Sequence, residues 1–441
     1  MKQKYLNLLK NNLIYLYISS KMSKNQILAL FEIPKNCLSA KLFENTYSKI
    51  LQKISHLIID NEEINPSEYY TFKKKGIHSI CIILKNKLDS MCNLFSDCFY
   101  LKEVDLSHLN TSKVKTMASL FQRCTSLSYV DLSNLDTSSV LDMQKMFLGC
   151  GKLSELDLST FDTSQVKNMN NMFRGCSKLE NIILSEKYNT SNVEDMSNMF
   201  SFCYELKDLD ISKFNTSKVK DMSNLFYYCK NIENLILDNF DTSNVENMSG
   251  IFSHCINLNS IIFSDKFITK KVKDMRHMFD SCEKLNFLDL SSFSTESVEN
   301  MNFMFYGCES LSNLDLSNFN VNQVKNMRNL FHNCKSLIML DLSNFTINNF
   351  IKELNYMFCG CINLIRLELS NFEGEQMTNL AHMFDGCENL NNIDMGKFNF
   401  NRINNSEGMF KGIPNEGSIV CNKNFRDKLI GLIPGSWEKV A

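Results

Sequence analysis

Cysteine returns at near-constant intervals along most of this 441-residue chain. Cys98, Cys124, Cys150, Cys176, Cys203, Cys229, Cys255, Cys282, Cys308, Cys334, Cys361 and Cys387 stand 26 or 27 residues apart. A period of this length restricts the chain to a stack of similar supersecondary units, because one unit is too small to enclose its own apolar face. Pro34, Pro66, Pro414 and Pro434 all fall outside the stretch between Ser67 and Ile413, so the strongest backbone breaker is missing from the repeating part. Twelve markers predict about twelve coils, and Ile413, standing where the next cysteine is due, marks a thirteenth.

Each unit reads C-x-x-L-x-x-L-D-L-S-x-F-(D/N)-T-S-x-V-x-x-M-x-x-M-F, as in "CESLSNLDLSNFNVNQVKNMRNLF". Leu156 and Leu158 alternate with Glu155 and Asp157, which predicts a strand with one buried face. Val193, Met196, Phe200 and Cys203 fall at offsets of three, four and three, which predicts a short helix. Ser191 with Glu194, and Ser243 with Glu246, have capping-box spacing at its start.

The ends depart from this register. Residues 1–55 read as a helical N-terminal segment, "SAKLFENTYSKILQKI" being one example, and residues 56–87 as a cap whose hairpin turns at Lys75-Gly76 and covers the first exposed strand edge. The array spans 88–413, and 414–441 read as a C-terminal cap in which a strand, a helix and Trp437 close the core. The opening stretch lacks a recognisable export signal, no apolar run reaches the ~18 residues of a membrane-spanning helix, and no lipidation motif is recognisable, so neither export nor anchoring is expected from the sequence.

The recurring thiol reads as interior filler. Ile413 can replace a space-filling cysteine but cannot bind zinc or form a disulfide, and the neighbouring methionine columns exchange freely with Leu354, Leu380, Leu120, Leu225, Leu330 and Ile251. Paired zinc spacings are missing, and stacked cysteines would point inward in parallel rather than toward one another. Cys359 and Cys361 are the one close pair, while Cys37, Cys81, Cys92 and Cys421 lie off the register.

Little else suggests chemistry. His56, His78, His108, His254, His277, His332 and His382 sit at unrelated positions without a catalytic motif, and with 15 glycines a phosphate-binding loop has little material. Lysine and arginine total 47 against 49 acidic residues, for a formal charge of −2, which argues against nucleic acid as a partner. No cofactor and no enzymatic activity are expected.

One outward strand column stands out. Asp105, Asp131, Asp157, Asp210, Asp289, Asp315, Asp341, Glu368 and Asp394 form a carboxylate stripe interrupted by Ile183, Ile236 and Ile262, with Phe287 and Met339 in the adjacent column. A solvated face repeated by duplication explains the stripe; a surface for a basic partner, or for Ca²⁺, is the functional alternative. The isoleucines with Phe287 and Met339 would supply an apolar centre inside a polar surround.

The unit "VxxMxxMFxxCxxLxxLDLSxFxTS" resembles the BspA-like leucine-rich-repeat surface protein family, in its methionine-rich DUF285, or mycoplasma-lipoprotein-type, form. Phe161, Phe214, Phe293 and Phe319 occupy the usual asparagine position, as in that subtype. The resemblance implies an α/β leucine-rich-repeat solenoid, capped at both ends, with a parallel sheet on the concave face and short helices on the convex face. It also implies a non-enzymatic protein acting at a cell or particle surface in adhesion or recognition of host, matrix or cellular proteins. The competing expectation is a cytoplasmic adaptor that bridges two proteins through residues 1–55 and the array.

Overall fold

The computed structural model describes residues 25–46, 49–347, 349–373, 375–422, 426 and 431–440. The chain forms two compact units, Met1–Asn192 and Val193–Ala441.

The first unit contains β1 (Gln26–Ile33), β2 (Ser39–Lys41), the helical turn α1 (Ile50–Lys53), β3 (Ile54–Ile59), β4 (Glu62–Ile64), β5 (Tyr69–Thr71), β6 (Gly76–Leu84), β7 (Leu101–Asp105), β8 (Tyr129–Asp131), β9 (Glu155–Leu158) and β10 (Asn181–Leu184). Six of these strands make one sheet in the order β4-β3-β6-β1-β7-β8. β1 runs antiparallel to both β6 and β7, whereas β7 and β8 are parallel, so β1 joins an antiparallel cap to the first coils. Its run Ile27, Leu28, Ala29, Leu30 and Phe31 is buried on both faces, the pattern of a central strand.

These strands correct the reading of the N-terminal region. Within the described part of 1–55, helix is confined to one turn, because the apolar run of β1 and the β-branched run that follows α1 satisfy their backbone groups in a sheet. Residues 1–24 lie outside the described residues. The expected hairpin is also replaced: β5 pairs with β2, while β6 pairs with β1 and β3, and the first coil's edge is covered by β1. Residues 26–33 are therefore stitched into the sheet rather than held out as a recruiting arm.

The second unit contains β11 (Asn234–Leu237), β12 (Ser260–Phe263), β13 (Met339–Asp341), β14 (Arg366–Glu368), β15 (Asn392–Met395), β16 (Glu416–Cys421) and β17 (Ser436–Val440). β11 and β12 pair in parallel, and β13 to β17 form a five-stranded parallel sheet. Trp437 on β17 is buried and donates its indole N–H to the Pro414 carbonyl at 2.9 Å. The C-terminal helix expectation falls on residues 423–430, of which Arg426 alone is described.

The expected helices of the repeats do not form. In the second unit Met222, Asn224, Phe226 and Tyr228 each donate their amide to the next coil, to the carbonyls of Asn247, Ser249, Ile251 and Ser253 at 2.8–3.0 Å. The amides between them close tight turns, Leu225 to Met222 and Cys229 to Phe226. Asn224 (φ 55°) and Tyr228 (φ 61°) are left-handed, and the same two places, four residues apart, are left-handed in coil after coil. A right-handed helix cannot pass through them. Successive turns reuse the three-residue spacing that suggested a helix. The capping boxes dissolve accordingly: the Ser243 hydroxyl donates to Asp241, and Glu246 pairs with Lys273 of the following coil at 2.9 Å.

Three internal columns bind the coils. Phe95, Phe121, Phe147 and Phe173 stack at 5.6–5.9 Å in the first unit, and Phe226, Phe252, Phe279, Phe305, Phe331, Phe358 and Phe384 stack at 5.5–6.0 Å in the second. Threonines replace an asparagine ladder. Thr269 donates to the Ser294 carbonyl at 2.7 Å and accepts the Ser294 amide at 2.8 Å, and Thr137 does the same with Asp162. The third column is cysteine, whose thiols are more than filler. Cys255 donates to the Phe226 carbonyl at 3.1 Å and Cys387 to the Phe358 carbonyl at 3.0 Å, each a contact with the preceding coil. That carbonyl already accepts its own coil's cysteine amide, so the thiol meets its second lone pair in a dry core.

Candidate functional site

The outward strand columns carry the exposed side chains of the strands, whereas the inward columns are buried. Parallel pairing sets their neighbours. In the first unit Asp105 lies opposite Asp131, and Asp157 opposite Ile183. In the second, Ile236 lies opposite Ile262, Asp341 opposite Glu368, and Glu368 opposite Asp394.

The repeated Asp-x-Ser has a local structural cause. Oδ1 of Asp105, Asp131, Asp157, Asp210, Asp289, Asp315 and Asp341 accepts the backbone amide of the serine two residues on at 2.8–3.0 Å, and Asp394 does the same with Gly396. Each aspartate thereby closes the turn that ends its strand. These bonds hold four carboxyls below the usual range. At Asp210 and Asp341 the serine hydroxyl is the larger cause and the amide the second; at Asp289 and Asp315 the order reverses. Glu368 instead accepts a guanidinium hydrogen bond from Arg366 at 2.7 Å.

The apolar members are strongly exposed: Ile183 by 49%, Ile236 by 56%, Ile262 by 53%, Phe287 by 69% and Met339 by 61%. Phe287, Asp289 and Asp315 line a groove of about 330 Å³ in the second unit. In the first unit a groove of about 270 Å³ is lined by Tyr129, Asp131, Glu155, Asp157 and Ile183. Tyr129 is pushed up to about 12 by burial, then by Asp131, Asp105, Asp157 and Glu103.

Alignment on cysteine alone missed a row of half-buried rings on the second unit. Tyr228 stacks on His254 at 4.2 Å, His277 on Phe303 at 4.7 Å and Tyr356 on His382 at 4.8 Å. The histidines are thus less scattered than their numbers suggest, for His277 and His382 share the position five before a cysteine, and both face an aspartate three residues on. The residues are not ordered for nucleophilic catalysis. Ser281 donates to Asp280 rather than to the His277 imidazole, so the carboxylate sits between serine and histidine.

All seventeen cysteines are free thiols. Burial pushes the ladder thiols far up, Cys176 and Cys255 to about 12, which suppresses the reactive thiolate. Among the described residues no three histidine, cysteine or acidic side chains converge as a metal site, and no helix is long and apolar enough to cross a membrane.

This architecture defines a leucine-rich-repeat solenoid of about 12 coils. A family model described as "Mycoplasma protein of unknown function, DUF285" matches residues 89–207, 153–261, 203–287, 224–345 and 337–416. The chain belongs to that family, which is of the BspA-like leucine-rich-repeat type. Among curated proteins none matches. Similar solved structures include a leucine rich cell surface protein from Faecalibacterium prausnitzii, 18% identical, with a TM-score of 0.31, covering 70% of this chain and 76% of that one. A leucine-rich repeat protein from Bacteroides ovatus is 15% identical with a TM-score of 0.29, covering 68% of this chain and 86% of that one. Another, from Eubacterium ventriosum, is 15% identical with a TM-score of 0.26, covering 72% and 85%.

Proposed function

We propose that the chain is a non-enzymatic recognition scaffold that binds a protein partner through its outward strand columns, acting at a cell or particle surface. The observation that carries this reading is the in-register pair Ile236 and Ile262, each more than half exposed on a strand whose other face is buried. Solvent-facing isoleucines add nothing to the core and cost solubility, so their side chains are accounted for by a partner that covers them. Asp210, Asp289 and Asp341 supply the polar surround.

The test is capture of binding proteins by the full-length chain, from its own cells and from their surroundings, followed by the Ile183→Lys, Ile236→Lys and Ile262→Lys triple variant. The triple variant should keep its circular dichroism spectrum and lose the captured partner. Retention of the partner by the folded variant refutes the reading. Localisation of tagged protein to the cell interior would refute the surface part alone and favour an adaptor.

A further inference from the structure

The groove in the first unit joins a tyrosine wall to several carboxylates. It runs from Ser128–Ser133 across Ser154–Asp157 to Asn181 and Ile183, and neither lysine nor arginine lines it. Tyr129 forms its aromatic wall. Asp131, Glu155 and Asp157 lie within it, and Glu103 and Asp105 stand beside it on β7, where they pair in register with Tyr129 and Asp131.

Glu103 is the informative member. It shares the face of Tyr129, lies close enough to influence the Tyr129 hydroxyl, and is 4% exposed. Its Oε2 has no hydrogen-bond partner among the described residues. Burial pushes its carboxyl up, and Lys102, the cation that opposes this, is engaged by Glu32 at 3.1 Å. A buried acceptor without a donor is unfavourable until one arrives, and in-register pairing with Tyr129 places this acceptor next to the groove's aromatic wall.

We propose that this groove is a socket for an arginine side chain carried by an extended segment of a partner protein. The inference rests on the protein-recognition reading and assigns its polar contact. A guanidinium fits better than an ammonium on three counts. It is planar and stacks on a tyrosine ring, it is the more weakly hydrated cation, and its fork of five donors reaches two carboxylates at once. Glu103 takes one edge of the fork and Asp131 the other, with the aliphatic stem along Tyr129.

The test uses the full-length chain and a fluorescein-labelled Gly-Ser-Arg-Gly-Ser peptide, read by anisotropy. Matched peptides carry lysine, or citrulline, which keeps the shape of arginine without its charge. Arginine should bind saturably, lysine several-fold more weakly, and citrulline about ten-fold or more below arginine. Glu103→Gln and Asp131→Asn should each weaken arginine binding about five-fold or more, while Asp394→Asn in the second unit leaves it unchanged. Unaltered circular dichroism confirms that each variant is folded. Equal binding of citrulline, equal binding of lysine, or wild-type affinity in folded Glu103→Gln overturns the proposal. The Ile236→Lys, Ile262→Lys variant should keep the arginine peptide. If the peptide fails to bind while that variant still abolishes partner capture, the socket is refuted and the recognition scaffold stands.

Discussion

Cys387 offers the sharpest test of how the coils are held together. Its side chain is fully buried, and its thiol donates to the Phe358 carbonyl at 3.0 Å, an oxygen that also accepts the Cys361 amide at 3.1 Å. Cys387→Ala removes one sulfur, whose burial contributes about 1 kcal/mol, roughly that of a methylene or slightly more. The sulfur-sized void adds about 0.5 kcal/mol, and loss of the weak S–H···O bond about another 0.5 kcal/mol. The expected cost is therefore about 2 kcal/mol. Cys387→Val refills the space without a donor and should cost about 1 kcal/mol or less. Trp437, the sole tryptophan, sits buried near the same end and reports this region. Urea unfolding followed by its fluorescence should rank wild type above Val, and Val above Ala. Equality of Val and wild type would show that the thiol contributes volume alone. An Ala variant within 0.3 kcal/mol or so of wild type would overturn the packing argument as well.

Thr269→Val strands both the amide and the carbonyl of Ser294, and should cost about 2 kcal/mol and speed hydrogen exchange at the Ser294 amide. Gly175→Val forces a β-branched residue to φ +74° with its Cβ 3.4 Å from the Gly149 Cα, and should cost about 2 kcal/mol in a melt of the first unit. The lowered carboxyls of Asp210 and Asp341 contribute stability that is present above their unfolded value of about 3.9 and lost as pH falls through the folded value. Their double asparagine variant should flatten the acid limb of the stability curve. Glu103, whose carboxyl is raised, has the opposite sign: stability declines as pH rises from about 4.3 through its folded value, and Glu103→Gln should remove that slope. Iodoacetamide should label half-exposed Cys37 in the folded chain and spare the buried ladder thiols, labelling of Cys255 at native pH being the contrary result.

The period of the chain was legible because duplication writes it directly. Leu156 and Leu158 point inward as their alternation requires. The segment that follows the strand in each unit was misread because Val193, Met196, Phe200 and Cys203 carry a spacing that an α-helix and two consecutive tight turns have in common. The discriminating signal was nevertheless present. Gly149, Gly175, Gly307, Gly360 and Gly386 all fall one residue before a cysteine, a position no helix interior would give repeatedly to glycine, and all adopt positive φ. The thiol's partner was not legible, because a hydrogen bond to the carbonyl of the preceding coil lies 29 residues away in sequence. Nor was the burial of Glu103, which depends on β1 docking against β7 rather than on any pattern within its own repeat.

The interruptions of the carboxylate column show that its outward chemistry is adjustable at a definite structural cost. Where Asp157 closes its turn by accepting the Ser159 amide, Ile183 offers no acceptor, and the task passes to Ser185. The Ser185 hydroxyl accepts the Lys187 amide at 3.1 Å and donates to the Phe161 carbonyl. Ile262 is relieved in the same way by Ser264, which accepts the Lys266 amide at 3.2 Å and donates to the Phe240 carbonyl. Both serines are buried, unlike Ser159. Ile183 and Ile262 thus stand in coils whose serine has turned inward to take over the turn, whereas Ile236 is followed by exposed Asp238, and its turn is closed by the Phe240 amide on the Leu237 carbonyl at 3.1 Å. Each compensated replacement leaves a closed turn with an exposed apolar side chain. Ile183 in one unit and Ile262 in the other carry the same compensation, which separates what the fold requires of this column from what a partner would select in it.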